Sequence, residues 1–242
     1  MNSPSCSDLA EALTASLELT TPPIAITFDA GVPENIDPYE GPKPPPAPDG
    51  RTGPVPAGCV FWTKAIDRTF STVASDHANC SVGTLVHGFA GLDEVAGNSD
   101  VAALLESGWV TSEQIPDIPT VHERPGSVTY GPLAETSGTP DVVLIRIKAG
   151  QLMLMADAVP GLQIGGKPQC RIIALASEQG QVAASLGCTL SRTRTGLPGD
   201  EMTCAIPGHR LAEVVRSIEA TARIDAIAES YASADIRRFA ET

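Results

Sequence analysis

Basic residues are in short supply in this chain. Lysines and arginines number 16 against 29 aspartates and glutamates over 242 residues, a formal charge of −13. A chain this acidic repels nucleic acid and anionic membrane surfaces, so neither is an expected partner. Aromatic residues make up only 4%, which argues against a base-stacking RNA binder. No apolar run approaches the ~20 residues of a membrane span. The nearest, residues 142–155, carries Arg146 and Lys148. The first residues have no basic n-region and no apolar h-region, and they carry Asp8, Glu11 and Glu18. No secretory signal is therefore expected, and the reading is cytoplasmic.

The common catalytic signatures are missing too. There is no GxGxxG opening a helix after a strand, no GxxxxGK(S/T), no GxSxG and no HExxH. Residues 161–166, GLQIGG, are glycine-rich without the dinucleotide pattern. The common nucleotide enzymes and serine hydrolases are excluded on these grounds. No CxxC pair occurs among the six cysteines at 6, 59, 80, 170, 188 and 204. A chain this long builds a core without disulfide staples, so the thiols are expected to be reduced or bound to something.

What is present reads as one α/β domain over residues 1–242. Leu9, Leu13 and Leu17 recur at helical spacing, with Ser7 as the expected cap. Pro22 and Pro23 stop that helix, and Ile24, Ile26 and Phe28 fall on one face of a strand. Residues 41–56 hold seven prolines, which excludes a helix or central strand. That stretch reads as an exposed polyproline-like loop, or as a docking segment or lid. Further on, a short helix after Cys59, a strand from Phe70 and a helix opening at Cys80 behind Asn79 are expected. Residues 99–107 read as another helix, and a strand is expected near Val128–Tyr130. The clearest strand is residues 141–148, DVVLIRIK. A helix over residues 151–159, a helix entered through Cys170, and strands over residues 181–186 and 201–206 follow. Pro207 is expected to start a helix with Leu211, Val214, Val215 and Ile218 on one face. A last amphipathic helix uses Ile224, Ile227 and Tyr231.

The two halves resemble each other weakly, over residues 20–110 and 138–220. Each has an apolar strand after a proline, then a cysteine entering a helix (Cys59, Cys170) and an alanine six residues on (Ala65, Ala176). Each then has a strand and a second cysteine (Cys80, Cys188). The fold class expected is α/β, two pseudo-repeated half-units with mixed sheets covered by helices. Such a pairing would bring Cys59, Cys80, Cys170 and Cys188 toward one interface.

The pieces LTTPPIAITF, HANCSVGTLVHGF, PDVVLI and SLGC, with the IPGHRL that follows, resemble in this order the domain-of-unknown-function family 169, the ArCR family. The resemblance spans roughly residues 9–220. It implies fold continuity and a recurrent cysteine set at 59, 80, 170 and 188, with Cys6 and Cys204 outside it. It implies no reaction.

Soft thiolates bind iron–sulfur clusters, zinc or Cu(I). Four converging thiolates suit a 4Fe–4S cluster or a closed zinc site. The alternatives are redox-active thiols and plain buried cysteines. His77 and His87 flank Cys80, where they could ligate a metal or act as acid and base; capping or surface histidines are the plainer reading. Arg192 and Arg194 follow Cys188, and an arginine fork suits a small anionic substrate; salt bridges to Asp200 or Glu201 are the alternative. The expectation is an iron–sulfur protein with cluster ligands Cys59, Cys80, Cys170 and Cys188. His77, His87 and Arg192 are its catalytic candidates, and its partner is a small-molecule substrate or redox partner. A metal-free small-ligand module and a structural zinc protein stand as alternatives.

Overall fold

The computed structural model describes residues 4–41 and 57–240. The proline-rich stretch lies outside these apart from Gly41. Its order begins with α1 (Cys6–Leu17), β1 (Ile24–Asp29), α2 (Gly58–Lys64), β2 (Phe70–Thr72), α3 (Ala74–His77) and α4 (Ser81–Val86). There follow α5 (Leu92–Val95), α6 (Ser99–Glu106), β3 (Ser127–Pro132), β4 (Val142–Ile147), α7 (Ala149–Ala158), β5 (Gln163–Gly165) and α8 (Arg171–Gln179). The chain finishes with β6 (Ala183–Ser185), α9 (Thr189–Thr195), β7 (Met202–Pro207) and α10 (Leu211–Ala240).

The strands form one sheet in the order β2-β3-β1-β4-β7-β6-β5. Only β5 and β6 run parallel; the other neighbours are antiparallel. The sheet is thus mixed, as expected, but continuous across both halves. The reason is the pairing of Ile24 with Leu144, which zips β1 onto β4. On either side of that seam the registers match. Ile24 pairs with Pro132 and Phe70 with Tyr130; Val142 pairs with Pro207 and Ala183 with Ala205. A 3-10 turn follows the terminal proline of both β3 and β7. In both halves the backbone N–H after that proline donates back to the start of the first strand, Leu133 to Pro23 and Gly208 to Asp141, each at 2.9 Å.

Side-chain alternation along the strands sorts the core into two layers. Val143, Ile145 and Ile147 point into one layer with Leu13, Met155, Val214 and Ile218, under α1, α7 and α10. Val142 and Leu144 point into the other with Phe61, Phe70, Tyr130 and Ile173, under α2 and α8. Cys204 lies in the first layer, fully buried. Cys6 starts α1 in that layer too, its thiol donating to the Gly138 carbonyl at 3.2 Å. The other four cysteines belong to helices on the opposite side of the sheet.

Local details depart from the sequence reading for identifiable reasons. Ser5, not Ser7, caps α1, because Asp8 at the third helical position completes a reciprocal capping box with it. Cys80, not Asn79, is the N-cap of α4. The helix expected from Pro207 starts at Leu211, because Pro207 still belongs to the β4–β7 ladder. The two last helices are one, α10. No residue between Ile218 and Ile224 is a glycine or proline, so nothing there breaks it. Among the described residues no helix is long and apolar enough to cross a membrane.

Candidate functional site

Cys59, Cys80, Cys170 and Cys188 line one narrow crevice of about 30 Å³. Each reaches it the same way. Cys59 is the second residue of α2, and Cys80, Cys170 and Cys188 are the N-caps of α4, α8 and α9. Four helix starts therefore aim at one point, two from each half of the chain. All six cysteines are free thiols. The Cys188 sulfur accepts the Ser191 N–H at 3.4 Å.

Burial sets the chemistry of these thiols. It pushes the Cys59 pKa up to about 11, with Cys80 and Cys188 adding to the rise while Ser191 and Arg194 oppose it. Cys170 is driven well above the usual thiol range by burial and by Cys80, Cys188 and Cys59. Cys59 and Cys170 are thus neutral thiols at neutral pH. Neither is the ready thiolate that a redox or nucleophilic cysteine needs. A bound cation that displaces their protons reverses that balance.

His87 also lines the crevice. Its Nδ1 lies 2.7 Å from the Gly83 carbonyl. A carbonyl only accepts, so Nδ1 carries the proton and Nε2 presents a lone pair. That Nε2 is buried without a hydrogen-bond partner among the described residues. Burial drives the His87 pKa down to about 4 against a smaller upward pull from Gly83. Gly58 makes room for the ring: a Cβ there would sit 2.6 Å from His87 Cε1. Metal-binding histidines characteristically donate their second ring N–H to a carbonyl in this way.

His77 lies behind His87, ring centroids 5.1 Å apart, and does not line the crevice. It is fully buried among Phe61, Phe89 and Tyr130. Thr72 bonds its Nε2 at 3.0 Å and donates to the Val128 carbonyl. Arg192 is also away from the crevice. Its guanidinium donates to the carbonyls of Leu186 (2.8 Å), Glu201 (2.7 Å), Leu197 and Pro198, so it staples the turn after α9. Gly187, at φ +94°, leaves room for it. The arginine that does line the crevice is Arg194, which donates to the Asn79 carbonyl at 3.4 Å. Burial works against its charge, but the sulfurs of Cys80, Cys59 and Cys188 outweigh that and raise its pKa.

A second, narrow cavity of about 30 Å³ shares Cys59 and Gln169 with the crevice. Ile24, Ile66, Leu144 and Leu197 make it largely apolar. Two buried polar groups in its wall have no partner among the described residues, Trp62 Nε1 and Gln169 Oε1. Gln169 Nε2 is spent on Thr203 Oγ1 at 3.0 Å. Arg146 lines the cavity too and is ion-paired with Glu201.

Among the described residues, no group of three or more His, Cys, Asp or Glu side chains stands ready to hold a metal ion. A tetrahedral zinc needs all its sulfurs at about 2.3 Å from one ion. A polynuclear cluster distributes its thiolates over separate irons, so its ligands stand wider apart. Thiols and a bare imidazole nitrogen are donor types that an iron–sulfur cluster or a zinc ion takes.

Fold and site together define a mixed α/β protein with a four-cysteine crevice at the junction of its two halves. The chain belongs to the uncharacterised ArCR family, DUF169, which it matches over residues 12–217. No curated protein and no solved structure matches it.

Proposed function

We propose that this ArCR protein binds an iron–sulfur cluster through Cys59, Cys80, Cys170 and Cys188 and works in the cytoplasm on a small substrate. The observation that carries the proposal is the meeting of four helix-start cysteines from both halves at one crevice. Six free thiols suit a reducing compartment. When bound, the cluster would supply one-electron redox or Lewis-acid chemistry. The protein's own part is to exclude water, to place the His87 lone pair beside the thiols and to hold Arg194 charged among them. At neutral pH the His87 ring stays uncharged, so its Nε2 lone pair is open to a metal or a hydrogen-bond donor. Arg194 takes the place expected of Arg192 in drawing an anionic group toward the sulfurs.

The substrate reading rests on the adjoining cavity. The space is narrow and apolar, with Trp62 Nε1 as a donor and Gln169 Oε1 as an acceptor unpartnered among the described residues, so a small molecule carrying both complements enters only as the wall opens. Because Cys59 lines both spaces, such a molecule would lie next to the cluster. The same chamber supports the second reading, a metal-free ligand-binding module.

Electron paramagnetic resonance after anaerobic isolation and dithionite reduction separates the two. The cluster reading expects a signal from a reduced iron–sulfur centre at about one spin per chain. A colourless, silent protein that still binds small ligands would favour the module instead.

A further inference from the structure

A cleft of about 260 Å³ adjoins the cysteine crevice, and Trp109 and Pro168 line both. Consecutive residues at the start of α8 divide between the two spaces. Cys170 lines the crevice and Arg171 the cleft. The cleft has the room for a small molecule that the two spaces of about 30 Å³ lack.

Its charge runs against that of the chain. Arg171 and Lys167 line it with Asp117, two cations to one carboxylate, in a protein of formal charge −13. Arg146, Arg192 and Arg194 spend their guanidinium groups on Glu201 and on backbone carbonyls. Arg171 does not. Its guanidinium reaches over Gly165 at the end of β5, and its Nε is buried with no hydrogen-bond partner among the described residues. A buried cationic donor left unbonded is costly, and a bound oxyanion satisfies it. Lys167 lies over the Trp109 ring, 5.0 Å from its centroid, and donates to the Trp109 carbonyl. An ammonium carries three donors, so two remain for the cleft. Gln114, also in the lining, spends its Oε1 on the Thr111 N–H at 3.1 Å, which leaves its amide NH2 as a further donor. Trp109, Val110, Ile118 and Pro119 supply an apolar wall.

We propose that this cleft binds a small organic anion. Arg171 and Lys167 hold its carboxylate or phosphate, and its apolar body lies against Trp109, one wall away from the sulfurs. Arginine's planar fork suits either head group. In naming the anion a substrate, the inference rests on the iron–sulfur reading above; its binding does not.

Isothermal titration calorimetry of the full chain with benzoate, hexanoate and phenyl phosphate tests this, with benzamide as the uncharged counterpart. At least one of the anions should bind with a Kd below about 1 mM, and benzamide about tenfold more weakly or worse. Arg171→Gln should weaken anion binding about tenfold, and Arg171→Lys, which keeps the charge without the fork, by less. Both should keep the far-ultraviolet circular dichroism spectrum of the wild type. Asp117→Asn should tighten binding. No binding of any of the three anions up to about 10 mM would overturn the inference. So would equal binding of benzamide, or an affinity that survives Arg171→Gln. Weaker binding in Asp117→Asn would overturn it too, because the cleft would then be holding a cation. The titrations need no iron. Iron-free protein that binds an anion defeats the cluster and leaves this site standing, whereas brown protein that binds none does the reverse.

Discussion

The Nδ1–H of His87 donates to the Gly83 carbonyl across 2.7 Å, and this one bond fixes the face the ring presents to the cysteines. A lone pair without a partner among the described residues is left beside the neutral thiols of Cys59 and Cys170. Burial keeps that ring uncharged well below its ordinary range, and several properties depend on it.

Folding stability should fall on mild acidification. In the unfolded chain His87 takes up a proton near pH 6.5, whereas in the native state it does so only near pH 4. Between those values the unfolded state binds more protons, so stability is lost as pH falls through the window. The loss should reach about 3 kcal/mol. His77, held neutral by burial and by His87, adds in the same direction. Urea titrations across this range should show the slope, and His87→Gln should flatten it. The exposed carboxylates with lowered pKa values, such as Asp200 and Glu213, act at lower pH.

Cys59 and Cys204 should resist alkylation in the metal-free protein. Iodoacetamide should modify Cys59 slowly at neutral pH and faster as pH rises toward 11, its pKa in the fold. Cys204, at about 12, should react only after unfolding. Peptide mass spectrometry over time reads this directly. Rapid labelling of Cys59 at neutral pH would show that burial does not hold the proton there.

Gly58→Ala should disturb the site from one added methyl. The new Cβ would sit 2.6 Å from His87 Cε1, so the ring must move or the start of α2 must shift. The expected cost is about 1–3 kcal/mol. A thermal melt measures it, and an unchanged melting temperature would mean the ring has slack.

The two arginines of α9 should separate cleanly. Arg192→Lys removes a fork that serves several carbonyls, and it should destabilise by about 1–3 kcal/mol without changing iron content. Arg194→Gln should leave the melting temperature nearly unchanged and should alter the reduction potential of the bound cluster. The reverse pattern would mean that Arg192 faces the chemistry.

That separation shows where sequence reading reached its limit. Arg192 and Arg194 are two residues apart, which on a helix turns them about 200° from each other. The sequence gives no sign of helix α9, because SRTRT has no apolar periodicity, and so it does not indicate which arginine faces the sulfurs. The cysteines were more legible. Cysteine at a helix entrance recurs in each half, and matched strand registers carry that recurrence into space. The orientation of His87 was not legible, because it depends on a backbone carbonyl and on the missing side chain of Gly58. Likewise α10 reads as two helices, because its apolar stripe changes face between Ile218 and Ile224 while the backbone runs straight through.

The central claim is that four cysteines from two halves of the chain hold one iron–sulfur cluster. Iron and acid-labile sulfide per chain, measured after anaerobic purification of the wild type and of single serine variants, test it most directly. The account predicts brown protein with matched iron and sulfide, lost or sharply reduced in Cys59→Ser, Cys80→Ser, Cys170→Ser and Cys188→Ser and retained in Cys6→Ser and Cys204→Ser. A colourless wild type without iron, or iron that survives all four crevice substitutions, would contradict it.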